Sequence, residues 1–348
     1  MPADGKAGGI PPGFNRQVLL ARRPRGEPQE ADFMIVDTPR AALLDDQVLL
    51  ETLWLSLDPY MRLRMDDRES YAPSVQIGEP MVGACVARVI ESRSDALSPG
   101  TLVVSRTGWQ SHPVANAADL RRLEMPLASA RQALSVLGAT AFTAYVGLLE
   151  IGKPRVGETV VVGAATGAVG SMVGQLARIH GCNVVGIAGG REKCRLAVEE
   201  YGFSACADHR SSRLTQELAA ACPDGVDVYF ENIGGVVLES VLPLLNVGAR
   251  VPLCGLISHY NSTPAQVGGF SRAELLFRVL ERRVTVRGFI ITDHVDQRQA
   301  FERDMTGWIS DGLIRWTETV AVGLQTAPAA FIQMLRGQST GKTLVQVT

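Results

Sequence analysis

Apolar and polar positions follow two different rhythms along the chain, and the change falls near residue 137. Before it, short apolar runs at residues 47–53, 81–90 and 102–104 are broken by Pro, Gly and Asp, the punctuation of a compact, mainly β domain. After it, brief valine-rich runs alternate with helical stretches. Thr159–Val162 is a four-residue β-branched run suited to a strand buried on both faces. Val169, Met172, Val173, Leu176 and Ala177 then recur at helical spacing, and Gly181 is placed to end that helix. Residues 184–188 read as the next strand. Helices over 192–201 and 214–221, and strands near 205 and over 226–231, 250–254 and 284–291, continue the succession. This alternation predicts a doubly wound parallel sheet. The tail from about residue 323 reads as a helix, 328–335, and a last strand, 343–347.

Length and composition permit two domains: 348 residues, 46% of them apolar, can bury substantial cores. A net charge of −2 without any Lys or Arg run argues against nucleic acid or an anionic membrane as partner. Residues 1–13 are Pro- and Gly-rich with no apolar stretch of signal-peptide length, and nowhere do eighteen apolar residues run together. A cytoplasmic protein with a disordered N-terminus is expected. Cys85, Cys182, Cys194, Cys206, Cys222 and Cys254 are scattered without a Cys-x-x-Cys pair, so neither disulfides nor structural zinc are expected.

The segment between the first two strands of the second half carries the chemistry. Ala165-Thr166-Gly167-Ala168-Val169-Gly170 is the dinucleotide-binding glycine turn with alanine for its first glycine. Gly167 lets backbone approach a pyrophosphate, Gly170 lets the helix pack on the strand, and the helix amides favour phosphate charge. Where NAD-binding chains place Asp or Glu, about twenty residues on, this chain has Gly189-Gly190-Arg191-Glu192-Lys193, which leaves room and a cation for a 2′-phosphate. NADP(H) is therefore favoured over NAD(H).

Ligands of an open parallel sheet lie past the C-terminal strand ends, so the exit loops hold the other candidates. Glu231-Asn232-Ile233-Gly234-Gly235 suits a close backbone approach to a ribose, or is a plain turn. Gly255-Leu256-Ile257-Ser258-His259-Tyr260-Asn261 combines hydroxyl, imidazole and phenol, and Tyr260 can donate to a developing oxyanion, or is a packing tyrosine. Gly288-Phe289-Ile290-Ile291 can present amides to a carboxamide, or continue a core strand. Ser258 and His259 lack a Gly-x-Ser-x-Gly elbow, which argues against a hydrolase. Gly337 to Thr343 imitates a phosphate-binding P-loop but is one residue short and leads into a strand. No tyrosine is followed by lysine four residues on, and Gly78-Glu79-Pro80 lacks the histidine of a catalytic zinc site, so no metal is expected.

With these residues in place, the chain resembles the zinc-independent medium-chain dehydrogenases/reductases, and most of all the NADPH-dependent alkenal/one oxidoreductases, which include prostaglandin, plant double-bond and bacterial curcumin reductases. The marks are Leu57-Asp58-Pro59-Tyr60-Met61-Arg62, Thr143-Ala144-Tyr145, residues 164–170, 185–193, 231–235 and 254–261, and Gly341-Lys342-Thr343. The resemblance implies an α/β fold: a Rossmann doubly wound sheet over 137–308, and a GroES-like, mainly β catalytic domain over 1–136 completed by 309–348, with cofactor and substrate in the cleft between them. It implies that Gly167, Ala168, Val169 and Gly170 hold the pyrophosphate, that Lys193 holds the 2′-phosphate with His209 against it, and that Gly189 and Ser339 belong to the cofactor site. Thr143, Asn232, Cys254, Gly255, Ile257, Ser258, Tyr260, Phe289, Ile290 and Ile291 would line ribose and nicotinamide, with Tyr60 and Tyr260 at the substrate end and Tyr260 catalytic. Three positions depart from the pattern: His209 stands for a tyrosine, Ser339 for an asparagine, and Ala139-Thr140-Ala141 for Met-Pro-Gly. The expected activity is metal-independent, NADPH-dependent reduction of the conjugated double bond of enones and enals by a homodimer. A quinone oxidoreductase, or a non-catalytic NADPH-binding redox sensor, would share the cofactor site.

Overall fold

A computed structural model of the chain describes residues 10–262 and 272–347; the expectation of disorder over residues 1–13 lies outside the described residues as far as residue 9, whereas Pro11 and Gly13 accept the amides of Phe14 (3.1 Å) and Arg40 (2.9 Å) in a turn. The chain divides into one unit of Met1–Ala133, Val320–Ile332 and Leu344–Thr348 and a second of Leu134–Thr319 and Gln333–Thr343. The tail thus alternates between the units, more finely than a single return at residue 309.

In the second unit six parallel strands lie in the order Ala205–Asp208, Asn183–Ala188, Thr159–Val162, Val226–Phe230, Leu245–Leu253 and Thr285–Gly288. The order reverses between Thr159–Val162 and Val226–Phe230, which is where such a sheet opens a crevice for ligand. Thr159–Val162 is buried throughout, as a strand covered on both faces must be. One apolar core gathers Phe142, Val160, Leu176, Phe230 and Phe301, and another gathers Val161, Leu218, Tyr229 and Val251. Neighbouring residues of one strand therefore feed opposite cores, so a slip of one register position would send each side chain into the other core. The helix Gly170–Ile179 buries Met172, Val173, Leu176 and Ala177, and Gly181 follows it at φ +76°.

The first unit is mainly β. Its seven-stranded sheet runs Glu318–Val322, Lys342–Gln346, Gln47–Ser56, Cys85–Ser92, Leu102–Ser105 and Arg121–Arg122, with Val114–Asn116 on Gln47–Ser56. A separate antiparallel pair, Phe14–Leu20 with Phe33–Pro39, carries Phe33, which stacks on Trp109 at 5.6 Å.

Two predicted strands are shorter than their apolar runs. The run over 81–90 pairs as a strand only from Cys85, because Met81 is held by Val18 and Trp109 instead (2.9 and 2.8 Å). The run over 284–291 stops at Gly288: Phe289 turns its ring edge-on to Phe230 at 6.4 Å, and helical turns follow over Ile291–Gln297. The strands Phe14–Leu20, Phe33–Pro39 and Glu318–Val322 were absent from the sequence reading, because their mixed burial blurs the apolar period.

A tight constraint on the glycine turn of the second unit is at Gly170, where an added Cβ would sit 2.3 Å from the Ala164 carbonyl oxygen and 2.7 Å from that of Gly163. Both obstacles are backbone and cannot rotate away. Gly170→Ala is expected to destabilise the protein by about 1–3 kcal/mol, the usual cost of overpacking, read from the urea midpoint. An unchanged midpoint would show that the turn can open.

Candidate active site

Three strand exits of the second unit converge on the crevice side of the sheet. The first follows Val162. Gly163 and Ala164 turn the chain, with Ala164 at φ +48°, a left-handed conformation uncommon outside glycine. The Gly167 amide closes the turn on the Ala164 carbonyl (2.7 Å), and the Gly341 amide bonds the Thr166 carbonyl (2.7 Å). Among the described residues the amides of Ala168 and Val169 have no backbone acceptor, so these helix-entry donors remain for an anion.

The second and third exits are laced together. Cys254 and Gly255 donate their amides to the Glu231 carbonyl (2.8 and 3.3 Å), and Ile257 donates to Asn232 (3.4 Å). The Ser258 amide and hydroxyl both reach the Ile233 carbonyl (3.0 and 2.5 Å). Asn232 donates its side-chain amide to the Gly163 carbonyl (3.0 Å), while its Oδ1 is sealed from water without a partner. An unpaired buried acceptor is uncommon in a folded protein and fits a site completed by a ligand hydroxyl. Tyr260 lies over Gly255, whose added Cβ would stand 2.6 Å from the phenol oxygen. Glycine there is what lets the hydroxyl approach the loop backbone.

A cationic cluster closes the outer end. Lys193 donates to the carbonyls of Gly337 (2.7 Å) and Ser339 (2.6 Å), which ties the helix Arg191–Glu199 to the segment before Gly341. His209 and Arg210 stand over Gly189: an added Cβ there would meet the His209 Nε2 at 2.8 Å and the Arg210 guanidinium at 3.4 Å. Asp208 fixes this corner by accepting the amides of Gly190 (2.9 Å) and Arg210 (3.0 Å). Burial and the Arg210 charge hold the Lys193 ammonium below its ordinary range. A half-buried ammonium beside another cation is a site suited to an anion.

Glu231 organises the middle of the site. It is 1% exposed, and its Oε1 accepts the Ile233 and Gly234 amides (2.7 and 2.8 Å). Its Oε2 and the Tyr229 hydroxyl are both buried without a hydrogen bond. Burial pushes the carboxyl above its ordinary value against these amide bonds, and burial followed by the Glu231 charge pushes the Tyr229 phenol well up.

The predicted residues distribute as follows. Gly167 to Gly170, Gly189, Lys193, His209, Asn232, Cys254 to Tyr260 and Ser339 all line these exits of the second unit. Ser339 contributes its carbonyl to Lys193. Thr143 spends its hydroxyl on the Ala139 carbonyl of its own helix (2.8 Å). Phe289, Ile290 and Ile291 follow the last parallel strand and are half-buried. Tyr60 belongs to the first unit, at the start of the helix Tyr60–Arg64. Arg210 went unassigned by sequence, and Glu231 was read only as part of the turn suited to a ribose, although each sits where a strand ends, the position that draws attention to exit loops. All six cysteines are free thiols, and no group of three or more His, Cys, Asp or Glu side chains able to hold a metal ion occurs among the described residues.

Comparison with known proteins gives the family. Residues 16–123 match the N-terminal domain of oxidoreductase, and residues 168–310 match the domain described as zinc-binding dehydrogenase. The chain belongs to the medium-chain dehydrogenase/reductase family. It is 45% identical over 334 residues to the NADPH-dependent curcumin reductase of Escherichia coli (strain K12), covering 96% of this chain and 97% of that one. It is 38% identical to prostaglandin reductase 1 of Rattus norvegicus, covering 94% and 97%. The crystal structure of CurA from Vibrio vulnificus in complex with NADPH superposes with a TM-score of 0.92 at 44% identity, covering 96% of this chain and 99% of that one.

Because folding raises the Glu231 carboxyl, the folded protein holds a proton the unfolded chain releases. That stability is fully present below the unfolded value and is lost as pH rises through the folded value. Glu231→Gln keeps an acceptor for both amides without the charge, so its melting temperature should fall less than the wild type's between about pH 5 and about pH 8. Glu231→Ala, which leaves two amides unpaired, should lose about 2–4 kcal/mol at either pH. Parallel pH profiles for wild type and Glu231→Gln would contradict this account.

Proposed function

We propose that the protein reduces the conjugated carbon-carbon double bond of α,β-unsaturated ketones and aldehydes with NADPH. The observation that carries the reading is the cluster of Lys193, His209 and Arg210 around Gly189 at the outer end of a glycine turn with open amides. The named activities of the curcumin and prostaglandin reductases it resembles support the same class.

The residues present fit the cofactor. Amides after Gly167 would hold the pyrophosphate, the cationic corner the 2′-phosphate, and Asn232 Oδ1, unpaired in its buried position, a ribose hydroxyl. When bound, NADPH supplies a hydride for the carbon β to the carbonyl. The chain's task is then to stabilise negative charge on the carbonyl oxygen and to manage one proton. The Tyr260 hydroxyl is the donor suited to both: a hydrogen bond to the oxygen, then a proton to the α carbon, from the phenol or from water. Tyr60 is the proposed substrate-binding residue of the first unit. Burial, and next the Asp58 charge, hold its phenol above the ordinary value, so it remains a neutral donor throughout the working pH range.

A homodimer through the second unit is part of this reading. The edge strand Thr285–Gly288 is exposed along its length, and Leu276, Phe277 and Leu280 on the helix Arg272–Arg282 are each more than half exposed. An unpaired strand edge beside an apolar helix face is a surface that pairing with a second copy would cover. No single described helix is long and apolar enough to cross a membrane, and the proposed site of action is the cytoplasm.

An NADPH-oxidation screen over enals, aryl enones, curcumin-like diketones and quinones tests the substrate class. Enones and enals should turn over fastest; turnover confined to quinones would overturn it. Tyr260→Phe should retain NADPH binding while lowering enone turnover roughly a hundredfold, the usual effect of removing one oxyanion donor. Unchanged turnover would remove Tyr260 from the mechanism.

A further inference from the structure

The helix Ala139–Tyr145 of the second unit runs on through Val146–Gly152 as a wider, π-helical segment. The Lys153 amide reaches back five residues to the Leu148 carbonyl (2.8 Å), and Lys153 ends the segment in a left-handed conformation, φ +45°. Helix of this kind is rare and is found most often at functional sites. Hydrogen bonds that span five residues bring positions five apart onto one face, and here that face holds Gly147 and Gly152. An added Cβ at Gly152 would meet Val228 Cγ1 at 3.1 Å and Pro252 Cγ at 3.3 Å, so the segment lies directly on the strands Val226–Phe230 and Leu245–Leu253.

At Gly147 the fit is closer still. An added Cβ would stand 2.6 Å from Phe230 Cε2 and 2.6 Å from Phe289 Cζ. The two rings meet edge-on, 6.4 Å apart, in the space that the glycine leaves. Phe230 cannot yield, because it is fully buried inside its strand. Phe289 can: it is half-buried, lies beyond the end of Thr285–Gly288, and packs edge-on to His294 at 6.4 Å. The next two residues, Ile290 and Ile291, have amides without a backbone acceptor among the described residues, past the C-terminal end of a parallel strand, where such sheets bind ligand. The seat of the Phe289 ring therefore fixes the backbone that carries these donors.

We propose that Gly147 is a positioning residue for the nicotinamide end of the coenzyme: the bare backbone of the π-helical segment lets Phe289 dock on Phe230, and that docking sets the Ile290 and Ile291 amides. This rests on the reading of the chain as an NADPH-dependent reductase whose strand exits hold the coenzyme. It separates two tasks within the site, with the phosphates held at the glycine turn and the cationic corner, and the ring that carries the hydride held through this helix.

The test is calorimetry with NADPH and with adenosine 2′,5′-bisphosphate, which carries the 2′-phosphate but no nicotinamide. Gly147→Ala should weaken NADPH about tenfold, the scale of one or two net hydrogen bonds, and leave the bisphosphate unchanged. Phe289→Leu, which lacks the ring carbon that the new methyl meets, should weaken NADPH by about threefold, the lower end of that scale. Gly147→Ala combined with Phe289→Leu should bind NADPH as Phe289→Leu does alone, because two positions that act through one contact are not additive. Equal weakening of both ligands by Gly147→Ala, unchanged NADPH affinity in it, or additive losses in the double variant would overturn the assignment. Should Gly147→Ala fail to fold, the double variant decides: a folded protein with the NADPH affinity of Phe289→Leu supports the assignment, and an unfolded one overturns it. No heat from either ligand in the wild type would remove the coenzyme reading itself, and this inference with it.

Discussion

The structure of the second unit depends on how closely backbone approaches backbone at the turn after Val162. The Ala164 and Gly163 carbonyls occupy the space that any side chain at position 170 would need, and Ala164 accepts a left-handed conformation to put them there. This crowding starts the helix Gly170–Ile179 directly above the strand end and points its first amides into the crevice. The same turn is bonded by Gly341, so the segment 333–343 is anchored where a phosphate would lie. Loosening the turn would therefore shift helix entry, anion donors and the tail segment together.

The electrostatics of the site build outward from that point. Lys193, His209 and Arg210 come from the exits of two adjacent strands, and Asp208 holds both loops through the Gly190 and Arg210 amides. Lys193 also straps the segment at Gly337 and Ser339, so it acts as an anchor as well as a charge. Glu231 performs the matching task on the other side of the switch point, folding Ile233 and Gly234 back so that Asn232 reaches Gly163. A buried carboxylate is an expensive way to cap a loop, and its raised proton affinity is the measure of that cost.

Much of this was legible in the sequence. The β-branched strand, the helix with its apolar stripe, and Gly181 beyond its end each follow from local periodicity, and the structure places them within a residue or two. The glycine turn was recognisable because its constraint is local: two glycines at fixed spacing between a strand and a helix. The orphaned Asn232 Oδ1, the Arg210 guanidinium over Gly189 and the sealed Arg64 Nε were beyond reach, because each depends on residues distant in sequence closing around a polar atom. The early end of the strand at Gly288 was hidden for a related reason. Phe289 is apolar enough to prolong the run, yet it leaves the sheet to pack against Phe230.

The central claim is that a glycine turn with a cationic corner selects the phosphorylated pyridine nucleotide. Titration calorimetry of the wild-type protein with NADPH and with NADH in the same low-salt buffer tests it most directly. The account predicts NADPH bound at least tenfold more tightly, with the gap narrowing as salt screens the 2′-phosphate. Equal affinity for the two nucleotides, or no heat with either, would contradict it.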